Sequence, residues 1–347
     1  MIPDEDVLEI LKEMYLRYPA NQEALHPKAY EARRAFEEAK KELVMTLVGS
    51  SDYRAVAFSG GTAAISLLGK WKRLQKKCVV TTSLEHPSVE YALKRAEARC
   101  VKLNADSCGK VLAVPVSEAD AVFVHHVQSE IGHVQDVDAL FSCYPDALKI
   151  TDTIQSAAKL PLPKTADILT VSGAKFGVPG AAALLVRKEF AKEIETLAER
   201  ERNEYLAARI SIPHFLAMIH AASAKVRKMQ QELSHAAELQ HLCRVLADSA
   251  GLECTVPEEY STPWICHLSL KDADGAVVVR LLGQEGICVG SGTACSAETD
   301  KPSAALLAVG RSKKAAYGGL RISFSPATTS DDVKKLFEVL KKTLKNY

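Results

Sequence analysis

Apolar residues fall at helical spacing among charges over residues 28–48 (KAYEARRAFEEAKKELVMTLV), which predicts an exposed amphipathic helix. Beyond it the texture alternates. Short apolar runs at Ala55–Phe58, Cys78–Thr82, Ala121–His125, Leu148–Thr151 and Ile168–Ser172 are separated by helix-like stretches, and Ala181–Val186 reads as one more strand. Continuous short runs suit strands buried on both faces, so the pattern predicts a mostly parallel sheet with crossover helices. Residues 188–247 change character to long helix. Ala217–Ala247 holds neither glycine nor proline and suits a link between two domains. The remainder reads as strand (265–270), helix (274–284), strand (286–289), a Gly/Ser loop, strand (319–324) and a final helix (329–345), a small α+β domain. The expected division is a large domain over 15–215 and a small one over 216–347, joined by 1–14. In a sheet of this kind ligands bind at the C-terminal ends of the strands, so the site is expected there, facing the small domain.

The formal net charge of +1 gives no electrostatic reason to expect nucleic acid or a membrane surface as partner. No apolar run approaches the ~18 residues of a spanning helix. The opening MIPDEDVLEILKEM is acidic where a targeting segment would be basic, which predicts a cytoplasmic protein. Nine cysteines at irregular spacing, with no CxxC pair, fit reduced thiols mostly buried as small hydrophobes, and no structural metal site is expected.

Four stretches carry candidate chemistry. Ser59-Gly60-Gly61-Thr62 follows a strand and opens a helix, where glycines and free N–H groups let a phosphate approach the backbone. Alone, it suits a plain turn with a Ser or Thr cap better. Asp152, at the end of Leu148–Thr151, suits either a helix cap or a carboxylate that keeps a cofactor's pyridine nitrogen protonated. Lys175, in Val171-Ser172-Gly173-Ala174-Lys175-Phe176-Gly177, sits among small residues at a strand end and could reach an aldehyde; alone, a surface lysine is the plainer reading. Cys295, in Gly290-Ser291-Gly292-Thr293-Ala294-Cys295-Ser296, reads as an accessible thiol in a Gly/Ser loop, whereas Cys288 reads as a buried structural one.

Taken in order, these stretches make the chain resemble the NifS-like cysteine desulfurases of the class V aminotransferase group. The resemblance runs from about residue 15 to the C-terminus. It includes Asn21–His26, SGGTAAISL, LEHPSV (84–89), HVQSEIGHVQDV (126–137), TDTIQSAAKLPL (151–162), LTVSGAKFGVPGAAALLV (169–186), GSGTACSAETDKPSAALLAVG (290–310) and LRISFSPATTSDDV (320–333).

The resemblance implies an α/β fold of pyridoxal-phosphate fold type I and a homodimer. It implies Lys175 as Schiff-base lysine for pyridoxal 5'-phosphate, Asp152 on the pyridine nitrogen and Gln155 on the ring hydroxyl. His86 stacks on the ring and shuttles protons, and Gly61, Thr62 and Ser172 are phosphate ligands. Arg321 grips the substrate carboxylate and Cys295 takes up sulfur. The implied reaction is removal of sulfur from L-cysteine, giving L-alanine and a Cys295 persulfide for an acceptor protein, a scaffold or a thiolation enzyme. A selenocysteine or cysteine-sulfinate lyase, a transaminase, and a degenerate homologue without turnover are the alternatives.

The chain departs from the family pattern in four places. It lacks the family's Asp-Asn-Ala-Ala-Thr-Thr-like opening. Gln128 replaces an Asn that contacts cofactor and substrate, and is counted with the cofactor contacts. Ala174 replaces a His near the phosphate. The Gly-Gly-Gly-Gln-Glu and Arg-x-Gly-Thr segments are absent around 195–213, where Arg209 is expected to take over phosphate contacts.

Overall fold

The computed structural model describes residues 5–19, 23–205, 210–270, 272–292 and 301–347. Helix α1 covers Glu5–Arg17 and α2 covers Pro27–Leu47. Pro27 stands where a first-turn N–H would be unpaired anyway, and the His26 ring accepts from the Ala29 N–H at 3.3 Å. Ala29, Ala32, Phe36, Ala39 and Leu43 line the buried face of α2, the helical spacing visible in the sequence.

The central sheet has seven strands: β1 (Tyr53–Phe58), β2 (Cys78–Thr82), β3 (Arg99–Leu103), β4 (Ala121–His125), β5 (Leu148–Asp152), β6 (Ile168–Ser172) and β7 (Ala182–Arg187), in the order β1-β7-β6-β5-β4-β2-β3. Only β7 runs antiparallel to its neighbours. Alternate residues face two cores. On one side Ala55, Ala57, Val80, Val122 and Val124 meet Phe36 and Leu43 of α2. On the other Val56, Phe58 and Phe123 meet α3 (Gly61–Leu68), α4 (Pro87–Arg95) and α6 (Lys188–Tyr205). Strand β3 escapes a hydrophobic-run reading because it is the sheet edge, and its first four residues are exposed or half-exposed.

The 38-residue helix α7 (Ile212–Ser249) belongs to two cores. Its first turns, through Phe215, Met218 and Ala222, pack on the large sheet, while Leu239, Cys243 and Ala247 pack in a third core. That third core joins β9 (Ile265–Ser269), α8 (Gly275–Gln284), β10 (Gly319–Ser323) and α11 (Ser330–Asn346). The change of core along α7 therefore falls between Ala222 and Leu239, later than the expected 215/216. Val7 of α1 packs in the large-sheet core with Phe36, so the N-terminal helix does not join the small domain as expected.

The small sheet has three strands, β10-β9-β8, with the two-residue β8 (Glu253–Cys254) at one edge. Residues 286–289 do not form the expected strand; an isolated bridge joins Gly290 to Arg321. Ser303 caps the short helix α9 (Ala304–Ala308). Of the eight cysteines in the described residues, Cys78, Cys243 and Cys266 are buried. Cys288 is exposed, the reverse of its expected state.

Candidate active site

A cavity of about 390 Å³ opens at the C-terminal ends of the parallel strands. The peptide after each strand supplies one wall: Gly60–Thr62 after β1, His86 after β2, His125 closing β4, Asp152 closing β5, and Ser172 with Lys175 after β6. Volumes of this size suit a small cofactor with its substrate.

Lys175 sits on a tight 3-10 turn, Gly173–Phe176. The turn is closed by the Val178 N–H donating to the Gly173 carbonyl at 2.8 Å. Any side chain at Gly173 would stand 2.4 Å from the Val178 carbonyl oxygen. Gly177 ends the turn at φ +81°, a left-handed conformation that glycine adopts without strain. Phe176 and Val178 are buried to either side of the turn. These anchors present the lysine to the cavity from a rigid support.

At the far wall, α3 begins at Gly60 without a side-chain cap. The N–H groups of a first helical turn have no partner within the helix, and here no side chain takes one up. A Cβ at Gly61 would lie 2.6 Å from the Ile154 side chain and 3.3 Å from that of Ser172. The backbone can approach a ligand closely there only because the residue is glycine. An uncapped helix start of this kind offers its N–H groups to an anion.

Asp152 is 8% exposed. Its Oδ1 accepts from the Thr170 hydroxyl at 2.6 Å and from the Ile154 N–H at 3.0 Å. The carboxylate thus tightens the turn after β5, where no helix begins, and also lines the cavity. His86 caps α4: its Nδ1 accepts from the Ser88 N–H at 3.2 Å, which leaves Nε2 to carry the proton of the neutral ring. Gln155 lines the cavity near Ile154.

Across the mouth, Arg321 of β10 donates from Nη1 to the Ser129 carbonyl at 3.0 Å. Burial pushes its pKa down, and the Glu130 carboxylate opposes that shift. Gln128, expected among the cofactor contacts, does not line the cavity. It is buried, its Oε1 accepts from the N–H groups of Glu130 and Ile131 at 2.7 and 2.8 Å, and its Nε2 donates to the Leu84 carbonyl at 3.3 Å. It holds a turn, and Ser129 reaches the cavity beside it. Cys295 and Arg209 lie outside the described residues.

Sequence reasoning missed His125. It lines the cavity beside Asp152, its register partner, and its Nδ1 bonds the buried Glu85 at 2.8 Å. The signal was present: a histidine closing a strand that ends level with Asp152. A second missed group is Lys159, which is buried with its Nζ 5.8 Å from the centre of the Trp264 ring. Burial pushes it down to about 7, helped by Lys175, Lys225 and Arg321 and opposed by Glu232.

The sign of the Lys159 effect follows. Between about 7 and the unperturbed 10.5 the unfolded chain binds more protons, so stability rises with pH across that window. Below it the buried cation carries its full desolvation penalty. Lys159→Met is therefore expected to stabilise the fold by roughly 1–3 kcal/mol at pH 6 and by little at pH 10. Urea unfolding at the two pH values measures this; an equal effect at both would place the ammonium in water.

The fold and the strand-end lysine and aspartate define a class, and comparison with known proteins agrees. The aminotransferase class-V family model matches residues 2–336, and the chain belongs to this family. Among its relatives is a cysteine desulfurase of Nostoc sp. (strain PCC 7120), 23% identical over 97% of this chain and 89% of that one. Another is the putative cysteine desulfurase IscS 1 of Bacillus subtilis, 26% identical over 95% of this chain and 93% of the relative. A solved NifS-like protein superposes with a TM-score of 0.84 at 20% identity, covering 100% of this chain and 97% of its own. No helix among the described residues is long and apolar enough to cross a membrane.

Proposed function

We propose that the protein is a pyridoxal-phosphate-dependent cysteine desulfurase working as a homodimer. The observation that carries the reading is one cavity that gathers Lys175, Asp152, His86, Ser172, Gly61 and Arg321 at the strand ends. The donor set fits the cofactor: an uncapped helix start beside Gly61 for a phosphate, a carboxylate for a pyridine nitrogen and an amine for an aldehyde. Gly61, Thr62 and Ser172 would hold the phosphate, Asp152 the ring nitrogen, Gln155 the ring hydroxyl and Lys175 the aldehyde carbon. When bound, the cofactor supplies an electron sink for charge developing at the substrate's Cα.

The remaining work belongs to the chain. Arg321 binds the substrate carboxylate through paired N–H groups and sets the amino acid's orientation. Lys175 would take the Cα proton of the bound substrate. His86 holds a proton at Nε2. The Cys295 thiolate attacks the substrate sulfur, forming an S–S bond. The electron pair of the broken C–S bond stays on carbon and is protonated, so L-alanine leaves and the sulfur remains on Cys295 for an acceptor protein.

The test is incubation of purified protein, reconstituted with cofactor, with L-cysteine and a thiol reductant. Equimolar alanine and sulfide are expected. A protein that holds the cofactor but releases neither product would point instead to a transaminase or a lyase for selenocysteine or cysteine sulfinate.

A further inference from the structure

His86 stands on the turn between β2 and α4, and that turn is stitched to itself. The Thr82 hydroxyl accepts from the Leu84 N–H at 3.0 Å and donates to Glu85 Oε1 at 2.7 Å. Leu84 and His86 line the cavity, whereas the side chain of Glu85 between them is 0% exposed. Glu85 Oε1 takes a second bond, from His125 Nδ1 at 2.8 Å. A carboxylate oxygen only accepts, so Nδ1 carries the hydrogen. His125 closes β4, the neighbour of β2 in the sheet. The bond therefore ties the turn after one strand to the end of the next.

His125 is held from its far side as well. Gln135, between β4 and α5 (Val137–Ser142), accepts at Oε1 from the Val111 N–H at 3.1 Å, and its Nε2 lies 3.5 Å from His125 Nε2. With both ring nitrogens engaged and 4% of its side chain exposed, the imidazole is a fixed post. A further tether runs from Gln128 Nε2 to the Leu84 carbonyl, longer at 3.3 Å and one residue short of Glu85. The other Glu85 oxygen, Oε2, is buried and has no hydrogen-bond partner among the described residues. The two bonds at Oε1 are thus what compensates this carboxylate for its burial. Without the His125 donor it keeps one hydroxyl, and a carboxylate so stripped turns toward water. Water lies on the cavity side, where Leu84 and His86 stand, so the turn would carry His86 with it.

We infer that His125 is a positioning residue: through its hydrogen bond to Glu85 it fixes the turn that presents His86 to the cavity. The inference rests on the proposed function, in which His86 stands against the cofactor ring and holds a proton. A role acting through Glu85 needs a donor at the Nδ1 position. A role acting through His86 must vanish when the His86 ring is gone.

The experiment mixes holoenzyme with L-cysteine and follows the rate at which the absorbance of bound cofactor changes, with the resting band read in the same samples. In His125→Leu the rate is expected to fall about tenfold, and the resting band to move toward that of His86→Ala. His125→Asn places an amide donor near the position of Nδ1 and should stay within about twofold of the parent, with the parental band. His125→Gln, whose donor reaches toward the Nε2 position, should behave as the leucine variant. In a His86→Ala background, His125→Leu should cost less than about a further twofold. Should His125→Leu fail to fold, the contrast between Asn and Gln carries the same test. A parental rate in His125→Leu, equal losses in the Asn and Gln variants, or an undiminished loss in the His86→Ala background overturns the inference and leaves the proposed function standing. A parent protein whose cofactor does not respond to L-cysteine overturns both.

Discussion

Lys175→Ala is expected to lose the near-visible absorbance of covalently held cofactor and to lower turnover by roughly 10³-fold or more, about 4 kcal/mol of barrier. The lysine would serve twice, as the covalent attachment and as the base at the substrate's Cα. The fold should survive, because the turn that carries it is anchored by Phe176 and Val178 and by the close approach at Gly173. Borohydride reduction followed by peptide mapping gives the check, with thermal unfolding as control. The rival amine is Lys159, buried nearby with a pKa of about 7. It does not line the cavity. Cofactor fixed to Lys159 in the parent protein would sink the assignment.

Cys295→Ser is expected to retain the cofactor band and its response to L-cysteine, but to release neither alanine nor sulfide. A hydroxyl is a far weaker nucleophile toward sulfur than a thiolate and cannot store a sulfur atom. Cys288, exposed and seven positions earlier, supplies the control. Cys288→Ser should turn over near the parental rate, and mass spectrometry should find added sulfur on Cys295 alone. Parental rates in Cys295→Ser, or persulfide on Cys288 in the parent, would end the assignment.

Much of the fold was legible because strands buried on both faces leave unbroken apolar runs. β2, β4 and β6 coincide with runs visible in the sequence. β3 left no such trace because an edge strand has one solvated side. The region 286–289 has apolar residues suited to a strand, yet the protein pairs it only at Gly290. The candidate site was legible where local chemistry and strand-end position coincide, as at Asp152 and Lys175. Gln128 misled because its neighbours in sequence point to a ligand contact, while its amide is occupied by the turn of Glu130 and Ile131. His125 was hidden for another reason. Its partner Glu85 is distant in sequence and meets it only in the folded chain.

The shared helix α7 has a mechanical consequence. At 1.5 Å per residue it is a strut of about 57 Å, embedded at both ends in separate cores. Between Lys225 and Ala236 none of its residues is buried, and Lys225 and Glu232 form an ion pair at 3.6 Å along this span. A beam clamped at its ends flexes where it is unsupported. A tilt of the small domain would bend the helix in these few turns, and Arg321, on the far side, would move with it about a fulcrum outside the cavity. Stiffness in this span would then set how far the arm proposed to take the substrate carboxylate travels.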